Sequence, residues 1–350
     1  MYIYYQRKFI QIGGSEIFAF NLFEEINKKK KIFIFCLYLS NPCKKFIKKN
    51  YQSIEKTIIT PSLSLNFLNF TLNFLFSRNN KIIFNYGLVE MFFIKFFLFR
   101  KIIYLAHDMF KFDEFNQVDY KKNDKTFNFR LFLIGLIEKK FNKVIVLTKM
   151  AQYERKKLFN YKPKVLKAAI RNIDDFSISR SYPLLLSIGR LVKKKNIDIL
   201  LFAFKKINKI YPKIKLEVCG DGKEIEYLKE ISTSIKLSNK IKFRGFVDDK
   251  KKMLMIKKSI CVFCLDRADY DLVVWESLLH SKPVVCSDTM EISKKLIETG
   301  WVIKSKIDPS NIYLNTIKLI KKKRKFNKLK AILNNYTFQK YSRKITSIHL

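Results

Sequence analysis

Glycine and proline are scarce in this 350-residue chain, nine and seven residues, which excludes a collagen-like or low-complexity linker protein. No stretch of 18 uncharged apolar residues exists, so no segment reads as a membrane-spanning helix. The opening MYIYYQRKFIQIGGSE lacks the apolar h-region and small-residue cleavage site of a secretory signal. A disulfide framework is missing too. The six cysteines (36, 43, 219, 261, 264 and 286) fall mostly inside apolar strand-like runs, and a chain this long needs no staples. Cys261 and Cys264 form a C-x-x-C with no second pair and no nearby histidine, as expected of two small residues on opposite faces of a strand. These absences lead to the expectation of a protein in a reducing compartment, soluble or bound to a surface.

Acidic residues are few as well: 30 against 70 Lys and Arg, a formal charge of +40. Lys, Ile, Asn and Phe run high along the whole sequence, so the charge is read first as compositional bias and second as the mark of an anionic partner. Apolar residues are plentiful at 48%, which excludes intrinsic disorder and provides core for one large domain or two ordinary ones.

Short apolar runs alternate with helical patterns. Expected strands are Lys31–Tyr38, Thr57–Thr60, Lys81–Asn85, Ile102–Ala106, Val144–Leu147 and Val165–Ala169, then Leu184–Ile188, Ile214–Cys219, Ile241–Phe243, Ile260–Leu265, Pro283–Cys286 and Trp301–Ile303. Glu16–Asn27, Phe132–Phe141, Ile197–Ile210 and Glu224–Leu237 have helical spacing. Such alternation predicts parallel sheets covered by helices, and a dozen strands predict two α/β domains. The joint falls near Asn172–Pro183, where periodicity lapses.

The surviving glycines mark the chemistry. Gly13 and Gly14 precede Ser15 and Glu16, a cap and first-turn acid, and open a helix whose N-terminus suits phosphate. Gly189 ends the first strand of the second half, and Arg190 and Lys195 follow where α/β sheets bind ligands, a fork and a point charge for a diphosphate. Lys193 and Lys194 read as solvated. Gly220 and Gly222 follow the next strand. Farther on, the run from Asp266 to Ser277 ends a strand, turns, and begins a helix carrying Glu276.

In order and spacing, GRLVKKKNID, KLEVCGDG, KIKFRGFV, the Y-x-LVVWE stretch and KPVVCSD resemble the nucleotide-binding domain of retaining glycosyltransferases of family 4, strongly over residues 184–304. GGSE, KIIYLAHD, KVIVLT and RNIDDF extend the likeness over the first half. The resemblance implies an α/β GT-B fold, two Rossmann-like domains with parallel sheets facing across a cleft. Residues 1–175 would be the acceptor-binding domain, 176–325 the nucleotide-sugar-binding domain, and 326–350 a C-terminal helix packing back on the first.

The implied activity is transfer of a sugar from a nucleotide-diphosphate-sugar donor to a cell-surface glycan or glycolipid, with retention of anomeric configuration. Arg190 and Lys195 would grip the diphosphate, and Glu276, the second acid of the family's Glu-x7-Glu motif, would hold the ribose hydroxyls. The backbone of Leu272 and Val273 would face the distal phosphate. Gly13 and Gly14 would form the loop closing over it, and His107 would sit by the transferred sugar. No metal or other cofactor is expected beyond the donor as co-substrate. The location implied is the cytoplasm, at the inner face of the membrane.

Several positions depart from the pattern. Ala268 replaces the first acid of the motif. Asp271 replaces a glycine, placing a carboxylate where phosphate should come unless Arg267 offsets it, and Asn196 replaces another glycine in a role an αL-tolerant residue can take. These departures keep open a second expectation, a catalytically degenerate GT-B protein that binds a nucleotide or a partner enzyme without turnover. A nucleic-acid partner is not expected, since no recognisable module appears. Of two aromatic stretches, Leu63–Phe76 reads as a candidate for contact with an anionic membrane and Leu88–Phe99 as a buried helix.

Overall fold

A computed structural model describes residues 2–5, 8–9, 14–61, 81–84, 101–106, 125–167, 170–178, 181–266, 270–322, 324 and 326–348. Both aromatic stretches of the first half lie outside these residues, as do Gly13, His107, Arg267, Ala268 and Asp269. Two compact units divide the chain: Met1–Arg171 with Phe338–Leu350, and Asn172–Thr337.

The first unit runs β1 (Tyr2–Tyr5), β2 (Lys8–Phe9), α1 (Gly14–Asn27), β3 (Ile32–Phe35), β4 (Tyr38–Leu39), α2 (Asn41–Asn50), α3 (Gln52–Glu55) and β5 (Ile58–Ile59). It continues with β6 (Lys81–Phe84), β7 (Lys101–Leu105), α4 (Lys125–Lys140), β8 (Lys143–Val146), α5 (Lys149–Phe159) and β9 (Lys164–Val165). Seven strands form one parallel sheet in the order β5-β3-β1-β6-β7-β8-β9. All four residues of β1 are buried, as an interior strand covered on both faces requires. The run 31–38 is not one strand: it breaks after Phe35, and β4 pairs instead with β2 in a separate two-stranded sheet.

Helix starts follow local chemistry. Ser40 caps α2 by accepting from the Cys43 amide, with Pro42 in the first turn where its missing N–H costs nothing. Thr148 caps α5 by accepting from Ala151, and Asn160 ends it in the left-handed conformation. The helix α1 begins at Gly14, one residue ahead of the expected cap at Ser15.

The second unit runs β10 (Leu184–Ile188), α6 (Ile197–Ile210), β11 (Lys215–Cys219), α7 (Ile225–Ser234), β12 (Ile241–Phe243), α8 (Asp249–Lys258) and β13 (Cys261–Cys264). After it come α9 (Leu272–Leu279), β14 (Val284–Ser287), α10 (Lys294–Glu298), β15 (Val302–Ser305), α11 (Pro309–Lys321) and α12 (Phe326–Leu333). Its parallel sheet has the order β12-β11-β10-β13-β14-β15. The chain therefore lays strands outward on one side of β10 and then returns to lay β13 on the other. That reversal makes a crevice outside the carboxyl ends of β10 and β13, where open α/β sheets take ligands. A buried cluster including Leu185, Leu200, Phe204, Leu216, Phe263 and Leu319 fills one side of the sheet.

Residues 326–350 are not one helix. The first part, α12, stays with the second unit, and α13 (Phe338–Thr346) belongs to the first. Phe18 of α1 makes edge contacts with Phe338 and Tyr341, at centroid distances of 4.8 and 5.5 Å, and the Tyr2 hydroxyl donates to the Thr346 carbonyl. All six cysteines are buried free thiols. Among the described residues no helix is long and apolar enough to cross a membrane.

Candidate active site

The loop after β10 is built on its neighbour. Gly189 donates to the Cys219 carbonyl and Leu191 to the Asp221 carbonyl, while Glu224 donates back to Leu191. This close approach explains two of the few glycines. A Cβ at Gly220 would lie 1.8 Å from the Gly189 oxygen, and one at Gly222 would lie 2.3 Å from the Leu191 oxygen; both residues also have positive φ.

A short 3-10 turn, Lys193–Lys195, then leads to Asn196 at φ 52° and ψ 38°, the left-handed conformation a glycine would otherwise supply. The buried Asn196 amide donates to the Leu265 carbonyl at 2.7 Å and to the Lys194 carbonyl at 3.0 Å. The first contact ties the loop after β10 to the end of β13.

Lys195 stands between two acids of that second loop. Its Nζ lies 2.9 Å from Asp266 Oδ2 and 3.1 Å from Asp271 Oδ2. Burial alone would weaken the ammonium, but the carboxylates of Asp271 and Asp266 outweigh it and hold the pKa well above the ordinary lysine value. Asp271 also caps α9, its Oδ1 accepting from the Val273 amide at 2.9 Å. The second oxygen of Asp266 is buried with no hydrogen-bond partner among the described residues.

One turn into α9, Glu276 accepts from Lys252 of α8 at 2.7 Å, and Lys252 also lies 3.0 Å from Asp249. Burial pushes the Glu276 carboxyl above the usual carboxylate range, and Lys252 opposes the shift without cancelling it. Its Oε2 is buried and likewise without a partner among the described residues. Two carboxylates with one unused oxygen each and a half-buried ammonium thus line the same loop–helix junction. The unused acceptors can take hydroxyl donors, and the ammonium can meet an anionic group only where one of its carboxylates gives way.

Of the residues singled out from sequence, Lys195, Leu272, Val273 and Glu276 come together at this junction, directly or through Asp271. Arg190 is exposed on the loop carrying Lys195, and Gly14 is the first residue of α1 in the first unit. Lys195 lies against the Asp271 carboxylate; Arg267, considered for that charge, lies outside the described residues. Asp266 as the second anchor of Lys195, and Lys252 as the partner of Glu276, were not legible from spacing. The capping by Asp271 had a signal, an Asp directly ahead of an apolar helical run. Among the described residues no group of three or more His, Cys, Asp or Glu is placed to hold a metal ion.

Residues 170–339 match the family described as Glycosyl transferases group 1. The match spans 170 of the 350 residues, just under half of the chain, and takes in the second unit. An uncharacterized glycosyltransferase of Methanocaldococcus jannaschii is 28% identical over 215 residues, 60% of this chain and 49% of that protein. The alpha-monoglucosyldiacylglycerol synthase of Streptococcus pneumoniae is 27% identical over 137 residues, 39% of this chain and 30% of the synthase. The chain thus spans about half or less of the length of these curated relatives. Among solved structures, Anabaena HepE in complex with UDP and glucose superposes with a TM-score of 0.73 at 15% identity, covering 99% of this chain and 98% of that one. At that identity the likeness establishes the fold: two Rossmann-like units of parallel sheet, the architecture of GT-B glycosyltransferases.

Proposed function

We propose that this protein is a retaining glycosyltransferase of family 4 that moves a sugar from a nucleotide-diphosphate-sugar donor to a cell-surface glycan or glycolipid. One observation carries the reading: a half-buried, doubly paired lysine and a half-buried glutamate with one unpartnered buried oxygen flank the start of one helix at the switch point of the second sheet. Lys195 and Arg190 would meet the diphosphate, the amides of Leu272 and Val273 its distal phosphate, and the open oxygen of Glu276 a ribose hydroxyl. The positive charge comes from protein side chains, so the reading asks for no metal.

In the reaction the bond between the anomeric carbon and the diphosphate oxygen breaks through an oxocarbenium-like transition state. The leaving diphosphate gathers negative charge, which Lys195, Arg190 and the helix N-terminus stabilise most as it develops. The acceptor hydroxyl then attacks from the leaving-group face, a phosphate oxygen takes its proton, and configuration is retained. His107 and the Gly13–Gly14 loop are assigned to the sugar and distal phosphate by the same reading. The first unit would receive the acceptor.

The complex of HepE with UDP and glucose makes UDP the first nucleotide to test, and the Streptococcus synthase, named for a glycolipid product, makes lipid acceptors worth testing beside glycans. A net charge of +40 favours peripheral contact with anionic lipid. A second reading, nucleotide binding without turnover, is favoured by the Asp271 carboxylate lying on the Val273 amide. Release of nucleoside diphosphate from a panel of sugar nucleotides, with and without lipid acceptors, decides between them. Turnover abolished in Lys195→Ala supports the transferase; binding without release of product from any donor supports the second reading.

A further inference from the structure

Among the described residues, Asp271 alone divides its two oxygens between the start of α9 and the Lys195 ammonium. Oδ1 accepts from the Val273 amide at 2.9 Å and Oδ2 from Lys195 Nζ at 3.1 Å. These are the two kinds of donor a phosphate needs, a helix N-terminal N–H and a cation. Asp266 shares Lys195, but its one paired oxygen lies on the ammonium and its other has no partner among the described residues. With both acids ionised, Lys195 faces two negative charges, so the immediate pocket repels an incoming anion.

We propose that Asp271 is an internal competitor for the donor's phosphates and sets the site's selectivity: a ligand binds there only by displacing this carboxylate from the Val273 amide and Lys195. The inference rests on the donor-site reading above. A tethered carboxylate competes at an effective concentration on the order of millimolar. A ligand with a single weak phosphate contact is rejected, whereas a diphosphate carrying further contacts displaces the acid. Once Asp271 has swung away, Lys195 keeps Asp266 as its partner and stays charged.

The test uses the full chain and isothermal titration at about 150 mM salt, where long-range attraction is screened within about 8 Å. UDP and inorganic pyrophosphate are the probes. Asp271→Asn and Asp271→Ser both keep a good capping oxygen, so α9 retains its start. Glu226→Gln, on the exposed face of α7, makes the same change in net charge away from the site. The expected result is tighter binding of both probes in both Asp271 variants, by about tenfold or 1.4 kcal/mol, and no gain in Glu226→Gln. Equal or weaker pyrophosphate binding in both Asp271 variants overturns the proposal, as does an equal gain in Glu226→Gln. UDP binding that is lost in Glu276→Ala, with no gain in the Asp271 variants, leaves the donor site standing and removes the competitor. Tighter pyrophosphate binding with no nucleotide bound by any variant sustains the competitor and removes the donor reading.

Discussion

Two buried charge clusters, one in each unit, differ in how completely they are satisfied. In the first unit, Arg155 of α5 meets Glu138 of α4 through Nε at 3.1 Å and a second guanidinium nitrogen at 3.3 Å, and the Tyr161 hydroxyl donates to the same carboxylate. Both ionic side chains are about as buried as side chains can be, 1% and 0% exposed. Both oxygens of that carboxylate are engaged, and the cluster braces α4 and α5 beside the sheet. In the second unit, Lys195 with its two acids and Glu276 with Lys252 lie at the carboxyl ends of strands and leave two buried oxygens without partners among the described residues. A saturated cluster has nothing to offer a ligand. An incompletely satisfied one costs stability until something completes it, and such a cost is tolerated where function needs it.

The largest expected effect tests the saturated side. Arg155→Ala strands a buried carboxylate and should lower stability by about 3–5 kcal/mol in urea unfolding; a loss under about 1 kcal/mol would break the comparison. Next, nucleotide at about 100 times its Kd should stabilise the wild type by about 2.7 kcal/mol. Arg155→Ala should keep that increment even on its lowered baseline, and Lys195→Ala should lose most of it, as read by thermal shift. A smaller effect is expected of Lys252→Met. Without its ammonium Glu276 is held further toward the protonated form, and binding of the nucleotide should weaken about tenfold, a single charge-assisted contact being worth about 1.5–3 kcal/mol, with a steeper loss toward acid pH than in wild type.

A further effect lies outside both clusters. His280 is buried against Ser177 and Met253, and burial, helped by Lys257 and Lys282, lowers its pKa to about 4 from the ordinary value near 6.5. A group that resists protonation when folded contributes its stability in full above about pH 6.5 and loses it as pH falls toward 4. Urea midpoints should therefore slope downward across that window, and His280→Asn should flatten the slope.

The sequence disclosed the second unit more fully than the first, for physical reasons. Leu184–Ile188, Ile241–Phe243 and Ile197–Ile210 are found at their expected bounds because each is a strongly patterned run ended by a clear signal. The strand β1 escaped notice although it is interior to its sheet. Four residues, three of them tyrosine, read as polar until both faces are covered. Gly220 and Gly222 stood out because a Gly-poor chain retains glycine where backbones touch. The ion partners did not: Lys195 pairs with Asp266 and Asp271 across some 70 residues of sequence, and Lys252 with Glu276 across 24, and spacing carries no record of such contacts.

The most direct measurement is calorimetric titration of UDP, GDP and ADP into the wild type and Glu276→Ala at about 150 mM salt. The variant is more positive, so attraction by bulk charge would hold or strengthen in it. The account predicts that one nucleotide binds the wild type best and that the variant loses it. Three nucleotides binding weakly and alike, with the variant unchanged, would contradict a donor site at this junction.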